Sequence, residues 1–304
     1  MNLTVAFGAR MLSAWRSTLP PTVRGVDKLK LNDRITKGIF LLLCIYAVGL
    51  IAQANCYAQG LLGLFGQPRA NDLLKRKGFT WKSDSSTQLR FHFEPDSHAE
   101  RRLNYLKERE EQSFSRVLRL LGVSSYPHQI DFFIVDSRER MKELIGRETN
   151  AIAFPQTNVI CFIFGSQANA SGAHELMHAV AKNTWKGKPQ LWLDEGFATY
   201  ADDMWYTYRL HDLSKFFLLN NRLVSLEKLI DDFRDHHAML SYPQAGSFVK
   251  FLYERYGMEK IKELWGKRAS DMPRIFGKSI ETLEKEWHAR LAEADASKIR
   301  YRLP

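Results

Sequence analysis

Residues 174–195 read HELMHAVAKNTWKGKPQLWLDE, and Gly196, Phe197 and Ala198 follow at once. On an α-helix, His174 and His178 lie one turn apart on the same face, so both imidazoles reach one point in space. A metal ion at that point would be held from one side by two nitrogens. Glu175, next to the first histidine, would stand beside the ion, free to take a proton from a water that the metal activates. A catalytic zinc also needs a third protein ligand and an open position. Glu195 is the candidate. Gly187 and Pro189 end the first helix within the break from Trp185 to Pro189, and Glu195 lies near the start of the next apolar-periodic segment, Leu193 to Trp205. Two antiparallel helices joined in this way bring its carboxylate to the histidines. An ordinary amphipathic helix would tolerate HELMH, but it predicts no acidic residue set among Trp192, Leu193, Gly196 and Phe197 downstream.

HELMH followed at short range by WLDEGFA resembles the gluzincin metallopeptidases, in particular the peptidase MA-like domains, and more distantly the aminopeptidase N and thermolysin groups. The resemblance implies His174, His178 and Glu195 as ligands of one Zn(II) per chain and Glu175 as general base. It implies a zincin-like α+β fold: a small N-terminal mixed sheet with an exposed edge strand over the HExxH helix, then a mainly helical C-terminal part. Two positions depart from the relatives. Asp194 precedes the ligand where aminopeptidases usually carry Asn, and Thr199 stands where thermolysin-like enzymes carry an Asp behind the metal site, so the groups supporting the ligands are left open. The segment SYPQAGSFVKFLYERYG, residues 241–257, also resembles the family pattern in which a tyrosine near the start of that helix faces the metal. Tyr242 is the matching residue, a candidate donor to the oxyanion of the reaction, although it lies four residues before Gly246 where aminopeptidases have three. A packing tyrosine at the helix entry is the alternative, and His236 or His237 could serve instead.

The chain has 304 residues, 45% of them apolar, enough for one large domain or two small ones. Its net charge of +10 is concentrated early: seven basic residues against Asp27 and Asp33 leave +5 before residue 38. The remaining +5 is spread over the rest without a basic, aromatic-interleaved run, so no nucleic-acid partner is expected. Behind the basic segment comes IFLLLCIYAVGLI, Ile39 to Ile51, ending in Ala52, Gln53 and Ala54. That layout predicts a secretory signal cleaved after Ala54, with an uncleaved anchor across residues 38–54 as the rival. Either places the metal site outside the cytoplasm, as a secreted or periplasmic protein or a membrane-anchored one. Three cysteines make no disulfide framework, and Cys161 reads as a small buried hydrophobe.

The expected organisation is a basic segment plus signal or anchor at 1–54, a linker at 55–86, the zincin domain at 87–295 and a tail at 296–304. Leu89, Phe91 and Phe93 alternate with Arg90 and His92, predicting a strand with His92 on its solvent face. A long amphipathic helix follows at His98 to Leu121, then a strand at Gln129 to Val135 and a helix at Ser137 to Ile145 closed by Gly146. Ala151 to Phe154 and Asn158 to Phe164 read as a hairpin, and the resemblance assigns the cleft edge to its second strand. Ser171 is the candidate cap of the metal helix. A last amphipathic helix follows Ser279. The implied function is zinc-dependent hydrolysis of a peptide or protein. Cleavage within chains is favoured, since no acidic residues for capturing a free amine can be recognised. A zincin-fold binding or scaffold domain at the membrane surface that no longer cleaves is the alternative. The sequence does not fix the oligomeric state.

Overall fold

The computed structural model describes residues 66–303, apart from 167, 169 and 171. Its N-terminal half is a five-stranded mixed sheet built from β1 (Lys82–Ser85), β2 (Leu89–Phe93), β3 (Ile130–Val135), β4 (Ala151–Phe154) and β5 (Val159–Ile163), in the spatial order β1-β2-β3-β5-β4. β2, β3 and β5 run parallel, and an antiparallel strand closes each edge. Four helices lie among these strands: α1 (Ala70–Leu74), α2 (His98–Arg101), α3 (Leu103–Leu121) and α4 (Arg138–Ile145). After β5 come α5 (Gly172–Thr184) and α6 (Leu191–Asp202), then a two-stranded hairpin of β6 (Met204–Trp205) and β7 (Tyr208–Arg209). The remainder is α7 (Leu210–Leu219), α8 (Leu226–Asp231), α9 (Ala238–Tyr256), α10 (Met258–Leu264), α11 (Met272–Phe276) and α12 (Ile280–Ala292). The expected α+β arrangement, a mixed sheet followed by a mainly helical part, is the one observed.

β3 reads IDFFIV and buries all six side chains, as a central parallel strand covered on both faces must. Alternation sends Phe132 to one face and Phe133 to the other. Phe91, Phe132 and Phe162 meet Leu106, Phe114, Leu176 and Val180 in the larger core. Phe133, Val135, Cys161 and Ile163 meet Leu73, Met141 and Leu144 in a smaller one. Cys161 is buried there with its thiol free, and burial pushes that thiol's pKa up.

Three expectations are corrected, the first two by the cover on this second face. The described part of the expected 55–86 linker is folded: Leu73 is buried, Phe79 and Trp81 pack on the smaller core, and β1 forms the sheet's outer edge. The sequence KSDS hides that strand because an edge exposed to water needs no apolar alternation. His92 is buried, not exposed, stacked on Phe133 and bonded to Ser83 Oγ (2.7 Å) and Asp131 Oδ1 (2.9 Å). The cleft edge is β4, because the hairpin folds back to place β4 outside β5.

Smaller differences are local. The long helix is interrupted at Arg102, and the expected 296–304 tail packs, with Ile299 and Tyr301 buried beside Leu213 and Phe217. Ser279 accepts from Thr282 N–H at 3.3 Å and caps α12, the expected last helix. The apolar run at 39–51, Cys44, Cys56 and the proposed cap Ser171 lie outside the described residues. Among the described residues, no helix is long and apolar enough to cross a membrane.

Candidate metal centre

α5 and α6 are joined by a short turn in which Gly187 takes φ +101°, and the two helices return side by side. That reversal brings Glu195 onto the histidines. His174 Nε2 and His178 Nε2 are 3.2 Å apart, and Glu195 Oε2 lies 3.4 Å from each. Among the described residues these three form the one group of histidine, cysteine or acidic side chains arranged to hold a metal ion. Glu175 is buried and lines the same cleft.

Asp194 and Lys182 support the ligands. His178 Nδ1–H donates to Asp194 Oδ1 at 2.8 Å, and Lys182 Nζ donates to the other oxygen, Asp194 Oδ2, at 2.6 Å. A carboxylate can only accept, so the bond places a proton on Nδ1 and turns Nε2 toward the cleft, its lone pair free once the ring is neutral. Burial alone would lower the His178 imidazole, but its bonds to Asp194 and Glu195 outweigh that and push it up to about 10. Burial likewise opposes ionisation of Glu195, yet His174 and His178 hold its carboxyl well below the usual carboxylate range. The pocket thus asks for positive charge at the point where three donors converge. Thr199 takes no part: its side chain packs against Gly246, and its hydroxyl has no partner among the described residues.

The position of α6 is fixed from two sides. A Cβ on Gly196 would fall 2.8 Å from Ala245 O, and one on Gly246 would fall 2.8 Å from Thr199 Cγ2, so α6 and α9 cross in contact at two glycines. On the other side Arg116 Nε of α3 donates to Ala201 O at 2.6 Å, near the end of α6. At the far end of α5, Asn183 donates to Pro155 O at 2.7 Å and ties the metal helix to the turn after β4.

The cleft holds about 710 Å³. Thr149 to Ala153, including the start of β4, line it together with Trp205, Ala238 and Tyr242. Tyr242 lies in the first turns of α9, its ring 6.4 Å from that of His174. Burial, and then Glu195, push its phenol up to about 12, so it keeps its proton to donate. His237 instead caps α9 by accepting from Met239 N–H at 3.2 Å, and neither it nor His236 lines the cleft. Trp205 and Asp202 were not singled out from the sequence as cleft residues. Their spacing of i+10 and i+7 from Glu195 becomes informative only once the end of α6 is known to border the site.

Residues 110–293 match the family profile described as Peptidase MA superfamily. Among solved structures, yeast LTA4 hydrolase in complex with bestatin is similar at 12% identity and a TM-score of 0.42, over 74% of this chain and 41% of that one. An aminopeptidase N family protein from Idiomarina loihiensis is similar at 10% identity and a TM-score of 0.35, over 74% of this chain and 47% of that one. This chain therefore spans less than half the length of either. No curated protein matches it.

Proposed function

The chain belongs to the Peptidase MA superfamily, and on that premise we propose that it is a zinc-dependent metallopeptidase acting on a peptide or protein substrate. The donor triangle carries this reading. Zinc ligands at about 2.0–2.1 Å in tetrahedral array stand roughly 3.3 Å from one another. The edges here are 3.2, 3.4 and 3.4 Å, so the three atoms already have the size of one face around a zinc ion. His174, His178 and Glu195 would hold one ion per chain.

Bound there, zinc would polarise the scissile carbonyl and lower the pKa of a water toward neutrality. The chain's own groups do the rest. Glu175 accepts the proton from the attacking water and returns it to the departing amine. Tyr242 donates its hydroxyl hydrogen to the carbonyl oxygen as negative charge builds there. β4, paired on one side only, offers backbone groups on which an extended peptide can lie as an added strand. Cleavage within chains is the favoured mode. Glu175 and Glu195 have their roles already, and Asp202, the remaining carboxylate lining the cleft, is engaged with other groups.

The basic segment and the apolar run at 39–51 support a site outside the cytoplasm. A reporter that acquires activity only after export, fused beyond residue 60, tests that placement.

The decisive experiment measures zinc by elemental mass spectrometry and hydrolysis of a broad peptide library, for the wild type, His178→Ala and Glu175→Gln. Near one zinc per wild-type chain is expected, lost in His178→Ala. Glu175→Gln should keep its zinc and lose at least about a hundredfold in rate. No metal in well-folded wild type would overturn the reading. Bound zinc without any hydrolysis would favour a zincin-fold domain that binds rather than cleaves.

A further inference from the structure

The β6–β7 hairpin carries features that the metal centre does not explain. It begins just beyond the end of α6, the helix that bears Glu195, and Trp205 on its first strand lines the cleft. The Trp205 ring lies 5.7 Å from that of Tyr242, which in turn lies 6.4 Å from that of His174. In the turn, Tyr206 meets Trp205 edge-on at 5.7 Å and is 73% exposed, the highest value for any large hydrophobic residue described. An aromatic path therefore runs from the metal ligands to open solvent.

Tyr206 also has φ +56°. That left-handed conformation costs a bulky L-residue on the order of 1–2 kcal/mol, whereas Asn or Gly adopts it readily at a turn. An exposed tyrosine at a strained turn position is unfavourable for the fold on both counts. Strain of this kind at the mouth of a site is a pointer to function. The platform is also rigid. Trp205 Nε1 donates to Tyr301 Oη at 2.9 Å, and Tyr301 donates to Met239 O at 3.0 Å, so the indole is held in its place on the cleft wall.

We propose that the Met204–Arg209 hairpin is a recognition platform for a large apolar or aromatic side chain of the polypeptide substrate, making Trp205 and Tyr206 determinants of cleavage specificity. The proposal takes its substrate class from the metallopeptidase reading. Aromatic faces bury area at low entropic cost and accept aromatic and apolar partners alike. The ring-to-ring steps from His174 to Tyr242, Trp205 and Tyr206 are 6.4, 5.7 and 5.7 Å, and an extended peptide advances about 3.3 Å per residue, so the platform lies within about five residues of the metal ligands.

The test uses peptides identical except for Phe, Ala or Asp at each of five positions on either side of the cleaved bond. kcat/KM is measured for the wild type, Trp205→Leu and Tyr206→Asn. Binding of the same peptides, fluorescently labelled, is followed by anisotropy on zinc-loaded Glu175→Gln with and without Tyr206→Asn. Wild type should prefer Phe over Ala at one position by roughly tenfold or more. Tyr206→Asn should melt no lower than wild type, because Asn relieves the turn, and yet lose most of that preference. A residue with only a structural role would not separate stability from selectivity in this way.

Cleavage without preference, or a preference unchanged in Tyr206→Asn, would overturn the platform while leaving the peptidase reading intact. A wild type that does not cleave, but whose Glu175→Gln form binds Phe peptides through Tyr206, would overturn hydrolysis and keep the platform. Absence of both would overturn both. Self-association of the wild type that Tyr206→Asn abolishes, with peptide selectivity unchanged, would assign the surface to a second copy of this chain instead.

Discussion

Asp194 is the residue whose role the relatives leave most open, and its contacts give it one. It holds the proton of His178 Nδ1 at 2.8 Å and is itself held by Lys182. An Asn in its place would offer one neutral acceptor where the carboxylate offers two charged ones, a weaker hold on the histidine. Removing such a partner of a metal-ligating histidine typically costs 10–100-fold in metal affinity. Asp194→Ala is therefore expected to weaken zinc binding by that order while leaving the stoichiometry near one. Competition with a chromophoric chelator reads the affinity directly, and an unchanged value would show that His178 is oriented by its helix alone. HELMH was legible because four residues are one helical turn, a spacing that needs no knowledge of the rest of the chain. The orienting bond was not legible, since Asp194 lies sixteen positions from His178 and reaches it only through the reversal between two helices.

The metal helix α5 begins against a buried charge on another element. Glu110 of α3 is fully buried, and its carboxylate lies so close to Gly172 that a Cβ there would fall 1.5 Å from Oε2. Arg109 pairs with Glu110 at 2.6 Å and also donates to Ala170 O at 2.9 Å, binding α3 to the approach to α5. Burial outweighs Arg109 and raises the Glu110 carboxyl from the usual 4.5 to about 7. A folded pKa above the unfolded one makes the ionised form a cost to folding. That cost is absent below about pH 4.5, grows as pH rises toward 7, and is complete above it, amounting to as much as about 3 kcal/mol. Glu110→Gln cannot ionise. Its stability relative to wild type should accordingly improve by about 1–3 kcal/mol between pH 4.5 and pH 8, read as urea midpoints at the two pH values. A difference that does not vary with pH would show that Glu110 is ionised throughout. From the sequence, Glu110 is one of several acids on an amphipathic helix, and nothing local distinguishes the one that faces inward.

At the scale of the molecule, the sheet is closed by residues that read as a linker. α1, Phe79 and Trp81 cover the second face of β3, where Phe133 meets Trp81 at 5.2 Å, and β1 closes the edge beside β2. A fragment beginning at residue 87 would bare Phe133 and Val135 and leave β2 as a raw edge, with His92 stripped of its bond to Ser83. It is expected to aggregate or melt well below a fragment beginning at residue 67, as differential scanning calorimetry would show. Equal melting temperatures would mean that residues 67–86 add nothing to the fold. By itself the sequence determined what rests on short-range periodicity: the histidine pair, the acidic residue beside it, the broken helix that returns Glu195, the order of elements from β2 to α6, and the buried Cys161. The tertiary structure alone decided which strand faces the cleft, that His92 is interior, that Asp194 turns His178, and that Trp205 and Tyr206 stand at the mouth of the site. Helical and strand spacings are properties of neighbouring residues, whereas burial and cleft position depend on which distant segment covers a face, and that is set only when the whole chain packs.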